Sequence, residues 1–235
     1  MPAHVALRSA VRAPERVRLI LMLALTFSTG IIDAVGYLGL DRVFTANMTG
    51  NVVILGMALA HAGGLPILGP AIALLAFLAG AGAGGRLLRQ DPAGWSTRTS
   101  AAFATTGGIL LGLGLAAFLF EPLRSTPWAY VITGLLAAAM GLQAAAARKL
   151  AVADVTTVVV TSTIVGLAAE SRLAGGSGRN FPRRILAVAL ILLGASAGAL
   201  LLRVHFGVGL IVAGLFTLVA ALVGHRLAHN RYAEQ

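Results

Sequence analysis

Six apolar runs, each of about 20 residues, constrain this chain more tightly than anything else in it. They occupy residues 17–40, 65–88, 99–120, 127–147, 184–202 and 206–224. A helix of about 20 apolar residues crosses the ~30 Å hydrocarbon layer of a bilayer, and in lipid only helices and closed barrels satisfy their own backbone polar groups. The expected fold is all-α: a polytopic transmembrane helical bundle, built as a single membrane domain over residues 1–235. A soluble alternative fails on charge. Only 11% of the residues are charged and the mean hydropathy is +0.89, whereas a soluble domain carries about 25% charged residues. Turn and charge chemistry separates the runs, as in Gln90-Asp91-Pro92-Ala93-Gly94, Glu121-Pro122 and the glycine-rich stretch from Gly175 to Pro182.

Two further segments, 43–62 and 152–169, are apolar enough to enter a membrane but open with Thr and Asn. The first contains Phe44-Thr45-Ala46-Asn47-Met48-Thr49-Gly50-Asn51, the second Thr156-Thr157-Val158-Val159-Val160-Thr161-Ser162-Thr163. Thr45 and Thr49 recur as Thr157 and Thr161, Asn51 falls where the second copy has Thr163, and Asp33 is set against Gln143. The small-residue run Gly80–Gly85 likewise matches Gly194–Gly198. These matches predict an internal two-fold repeat with halves of about 17–120 and 127–225.

Whether the two polar segments cross the bilayer decides how the halves are related. With a cytoplasmic N-terminus, eight crossings leave Arg42, Arg86, Arg89, Arg98, Arg148, Lys149 and Arg203 outside. Six crossings with two re-entrant or broken helices leave only Arg42, Arg124 and Arg203 there, in better accord with the cytoplasmic excess of Lys and Arg. Six full spans and inverted halves are therefore expected, with eight spans as the alternative. Residues 1–16 are then a basic cytoplasmic N-terminus and 226–235 a cytoplasmic tail. The arginines before Val17 resemble the start of a secretory signal, but the apolar stretch reaches Leu40, longer than a signal core, and reads as an uncleaved span.

The stretch Gly30-Ile31-Ile32-Asp33-Ala34, followed by Phe44-Thr45-Ala46-Asn47-Met48-Thr49-Gly50-Asn51, resembles the signature of the YoaK family (DUF1275), bacterial membrane proteins grouped as a domain of unknown function. Met140-Gly141-Leu142-Gln143 is similar to the family's second-half pattern, and the resemblance covers about residues 17–225. The chain departs from the pattern at Thr161-Ser162, where the family has Thr-Gly. The resemblance implies a multi-pass protein of the bacterial inner membrane and names no substrate.

Irregular backbone survives at membrane depth only inside protein or along a wet cavity. The Asn47–Asn51 stretch invites such a break, because glycine tolerates unusual dihedrals and Asn and Thr side chains bond freed backbone groups. Many transporters hold substrate at broken helices near the repeat interface. The candidate substrate-binding residues are Asp33, Asn47, Thr49, Gly50, Asn51, Gln143, Thr157, Thr161 and Thr163. A plainer role for each Thr or Asn is interhelical hydrogen bonding. Asp33 is the only acid inside a predicted full span, and a carboxylate at the bilayer centre costs at least ~2.5 kcal/mol, so it needs a partner or a proton. It lies only about 10 Å from Leu40, so a position nearer the surface is also open.

Other chemistry finds little support. The net charge of +10 is spread along the edges of the apolar runs, so lipid and not nucleic acid is the expected partner. The absence of Cys excludes thiol catalysis and thiolate ligands. No zinc-protease, nucleophile-elbow or phosphate-loop motif is present, and no enzyme activity or cofactor is expected. His225 and His229 share a helical spacing beside Arg226 and Arg231, too few ligands for a metal. The G-x-x-x-G spacings predict close packing between the halves, with a homodimer contact as the alternative. The expected function is a transporter or channel-like permease for a small molecule or ion, its path lying between the two Thr/Asn-rich segments. The alternative is a membrane scaffold or sensor that binds a partner protein or lipid and transports nothing.

Overall fold

The computed structural model describes residues 3–91, 94–120, 126–150, 160–178 and 180–232, with side chains from residue 15 to residue 228. Within them the chain forms α1 (Ala3–Gly39), α2 (Met48–Leu59), α3 (Leu68–Leu87), α4 (Thr97–Leu119), α5 (Pro127–Leu150), α6 (Val160–Ala169), α7 (Phe181–Leu202) and α8 (Phe206–Tyr232). Six stretches are long and apolar enough to cross a membrane: Glu15–Gly39, Leu68–Leu87, Thr97–Leu119, Pro127–Leu150, Phe181–Leu202 and Phe206–Ala228. They coincide with the six apolar runs to within a few residues. The 12 residues of α2 rise about 18 Å, too short for a ~30 Å crossing, and the ten described residues of α6 rise less still.

Local chemistry sets several helix ends. Ser96 caps α4 by accepting from the Thr99 amide at 3.0 Å, and Asp91 secures that turn through Ser96 and an ion pair with Arg98 at 3.2 Å. Pro182 stands in the first turn of α7, where its missing N–H costs nothing. Arg42, with φ of 50°, and then His61, Gly63 and Gly64, all with positive φ, reverse the chain on either side of α2.

The helices pair as α1 with α7, α3 with α5 and α4 with α8, while α2 rests on α3 and α6 on α7. Small residues sit at each crossing. A Cβ on Gly80 would strike the Ala138 carbonyl of α5, and one on Gly141 would strike the Phe77 carbonyl of α3. Gly30, Gly194 and Gly198 meet backbone in the same way between α1 and α7. Both glycine runs singled out in the sequence thus bring helix backbones together within this chain.

The order of contacts gives the helix directions. Phe27 faces Gly194 and Ile31 faces Gly198, so α1 and α7 run parallel; Gly80 against Ala138 and Gly84 against Leu142 make α3 and α5 parallel. Gly107 meets Gly214 and Gly114 meets Gly207, so α4 and α8 run antiparallel. Ile31, Ile32, Leu110, Ile132, Leu136, Met140 and Leu210 form the buried centre of the bundle. Buried hydroxyls bond helix carbonyls, as Thr26 does to Met22 at 2.9 Å and Ser28 does across to Ala213 at 3.0 Å. Leu75, Leu192 and Leu222 point outward, each more than 60% exposed, as a lipid-facing surface requires.

Candidate functional site

The site is built where α1 ends and the chain folds back on it. Past Leu40 the backbone turns at Arg42 and passes beside Gly36, where an added Cβ would lie 2.9 Å from the Val43 carbonyl. This close approach brings three consecutive amides onto Asp33. Its Oδ1 accepts from the N–H groups of Thr45 at 3.0 Å, Ala46 at 2.8 Å and Asn47 at 3.4 Å. The carboxylate oxygen thereby satisfies backbone amides that have left helical geometry.

Asn51 closes the turn from the other side. Fully buried in the first turn of α2, it donates through Nδ2 to the Phe44 carbonyl at 2.6 Å and accepts through Oδ1 from the Phe44 amide at 2.9 Å. Its side-chain amide stands in for the neighbouring strand that Phe44 lacks. Asn47 caps α2 by accepting from the Gly50 amide at 3.3 Å. The Phe44 ring lies over Gly50, where a Cβ would come within 2.6 Å of it, and stacks on Tyr37 with centroids 4.8 Å apart. Phe44, Asn47, Gly50 and Asn51 therefore each have a geometric task. Thr45 differs, since its Oγ1 is buried without a hydrogen-bond partner among the described residues.

Beside this hairpin lies a cavity of about 800 Å³. Thr29, Asp33 and Tyr37 line it from successive turns of α1, and Asn47, Thr49 and Gly50 from the start of α2. Val160 and Thr161 of α6 and Ile191 of α7 close the far side. Tyr37 lies near the end of α1, whereas Thr29, two turns deeper by about 12 Å, and Ile191 lie near the middle of their spans. Asp33 Oδ2 accepts no hydrogen bond from the described residues. A second cavity of about 400 Å³ is lined by Ser162, Thr163, Gly166, Glu170 and Arg184. There the buried Arg184 guanidinium donates to the Gly166 carbonyl at 2.5 Å and pairs with Glu170 at 2.9 Å.

Of the residues expected from sequence, Asp33, Asn47, Thr49, Gly50 and Thr161 share the larger cavity. Asn51 lies behind its wall as the clamp on Phe44, and Thr163 belongs to the smaller cavity. Thr157 falls outside the described residues. Gln143 is displaced from its expected place. It is fully buried in α5, donates to Thr29 Oγ1 at 3.3 Å, and is absent from the described walls of either cavity. The register explains this. Gly30 on the Ile191 carbonyl and Gly141 on the Phe77 carbonyl make matching contacts, and aligning those glycines sets Gln143 against Ile32. One residue is about 100° of helix, enough to turn the side chain off the wall that Asp33 occupies. Thr29 and Tyr37 were missed as lining residues, although their four-residue spacing on either side of Asp33 places all three on one helix face.

Six membrane-length apolar helices, with two short ones resting on α3 and α7 and polar residues turned onto a cavity beside them, define a multi-pass helical membrane protein. A family model described as "Protein of unknown function (DUF1275)" matches residues 21–223, and the chain belongs to that family. It is 31% identical over 148 residues to the UPF0700 transmembrane protein YoaK of Bacillus subtilis (strain 168). That alignment covers 63% of this chain and 64% of the relative, so the chain spans just under two thirds of the curated relative's length. No solved structure matches. The two stretches that carry the family resemblance, Gly30–Ala34 and Phe44–Asn51, are the two sides of the Asp33 hairpin.

Proposed function

We propose that the protein is a membrane permease, carrier or channel, for a small molecule or ion. The observation that carries this reading is that Thr49 from the first half and Thr161 from the second face one cavity within a membrane-spanning bundle. The smaller cavity begins one residue further on, at Ser162, and reaches Arg184 in the first turn of α7. The smaller cavity thus lies at the start of α7 and the larger one at its middle, with the start of α6 between them. A scaffold needs no such space.

An inverted repeat accords with the same geometry. Exchanging α1–α4 with α5–α8 turns the α1/α7 pair into α5/α3 and the α2/α3 pair into α6/α7, and returns α4/α8 to itself. A pair that maps onto itself while running antiparallel has its two-fold axis across the helices, in the membrane plane. Eight crossings would make α4 and α8 parallel; six make them antiparallel, in line with the glycine contacts. With the positive-inside rule, this favours a bacterial inner-membrane protein with both ends in the cytoplasm and α2 and α6 re-entrant from opposite faces.

The test is a flux screen in liposomes holding the purified protein. Thr49→Trp and Thr161→Trp fill the cavity from exposed positions, leaving the packed core intact, and are expected to abolish any flux that wild type supports. Wild-type rates equal to those of empty liposomes across amines, amino acids, sugars and ions would remove the permease reading and favour the sensor or scaffold.

A further inference from the structure

From the wall chemistry of the larger cavity we infer that its ligand is a small organic monocation carrying an apolar or aromatic body, such as an amine; this substrate class rests on the permease reading. Asp33 is the one charged side chain among the described lining residues. Arg184 at the smaller cavity is already paired with Glu170. The described walls of the cavity therefore hold an acid with no cation beside it. The three amides on Oδ1 orient the carboxylate, but neutral dipoles do not cancel a full charge, and Oδ2 is left to receive an N–H donor.

The remaining walls decide the body of the ligand. The stacked Tyr37 and Phe44 rings provide aromatic surface within reach of a cation, a contact worth roughly 0.5–2 kcal/mol. Val53, Ile54 and Ile191 add hydrocarbon. A bare metal ion fits poorly, because it needs several converging oxygens and the larger part of this wall offers none. A volume of about 800 Å³ falls within the range of roughly 300–1,000 Å³ typical of sites for organic ligands. An anion would meet Asp33 with no cationic side chain among the described lining residues, and the half-charge at the N-terminus of α2 offsets only part of the repulsion from a full negative charge.

The experiment is equilibrium binding of radiolabelled 2-phenylethylammonium to the full chain in nanodiscs, competed by neutral 2-phenylethanol and by anionic 3-phenylpropionate. The amine is expected to bind at least about tenfold more tightly than the alcohol, and the carboxylate not to compete. Asp33→Asn, which keeps an acceptor for the three amides, is expected to erase the preference. Thr161→Lys, on the opposite wall and away from the hairpin bonds, is expected to abolish amine binding even if Asp33→Asn fails to fold. An alcohol that competes as well as the amine, no binding of any of the three, or undiminished amine binding by Thr161→Lys would each overturn the inference. Flux in matching liposomes separates the two readings. Amine binding without amine flux supports this ligand class and removes the permease, whereas cavity-dependent flux of neutral solutes without amine preference does the reverse.

Discussion

Asp33 and Asn51 do more structural work than their place beside a cavity implies. Asn51→Ala strands both the N–H and the C=O of Phe44, and each unsatisfied group costs about 1–3 kcal/mol. A loss of about 2–6 kcal/mol is therefore expected, read as a lower melting temperature in nanodiscs; an unchanged melt would show that the hairpin is held by something else. Asp33→Ala strands the amides of Thr45, Ala46 and Asn47, whereas Asp33→Asn retains a carbonyl oxygen for them. Asp33→Ala should thus melt lower than Asp33→Asn. Equal melting temperatures would mean that the charge, and not the acceptor oxygen, stabilises the hairpin. Loss of flux in either variant must be read beside its melting temperature, since the same carboxylate both shapes the hairpin and lines the cavity.

At the scale of the helix, small residues matter only where a neighbouring backbone is close. Gly80 and Gly82 stand two apart in α3, yet a Cβ at the first would strike Ala138 and a Cβ at the second would meet nothing. Gly80→Ala is expected to push α3 from α5 at a cost of about 1–3 kcal/mol, and Gly82→Ala to stay within about 0.5 kcal/mol of wild type. Comparing the two by steric-trap unfolding in bicelles checks this; equal effects would mean that α3 and α5 do not cross at Gly80. The sequence marked both glycines equally, because a run of small residues does not reveal which side faces a helix and which faces lipid.

For the whole molecule the decisive quantity is the number of crossings. The native chain has no Cys, so single cysteines report position without background. With six crossings, Ala62→Cys between α2 and α3 is expected to react in intact cells with a membrane-impermeant maleimide, and Gln90→Cys between α3 and α4 to react only after lysis. Eight crossings predict the reverse pair. A good deal of this architecture was legible beforehand: the six spans and the polar motif around Asn47–Asn51 follow from length and composition, while the expectation that the two polar segments do not cross rests on where Lys and Arg fall. Gln143, set against Asp33 in the sequence, lies off the described cavity walls and bonds Thr29, because matching polar residues by type ignores the angle that each side chain takes about its helix.

Hydrophobic length by itself determined that this chain lives in a bilayer, since about 20 apolar residues in succession have no stable home in water. The residue types around Gly50 also announced a broken helix, because conformational freedom and hydrogen-bonding capacity are local properties. Only the folded arrangement decided that Asp33 reaches three amides of the next segment, that Asn51 is a clamp and Thr49 a wall, and that Thr161 arrives from the other half to face it. Those distinctions depend on the angle of each side chain about its helix and on which helix packs beside it, and both are set by contacts between residues far apart in the chain.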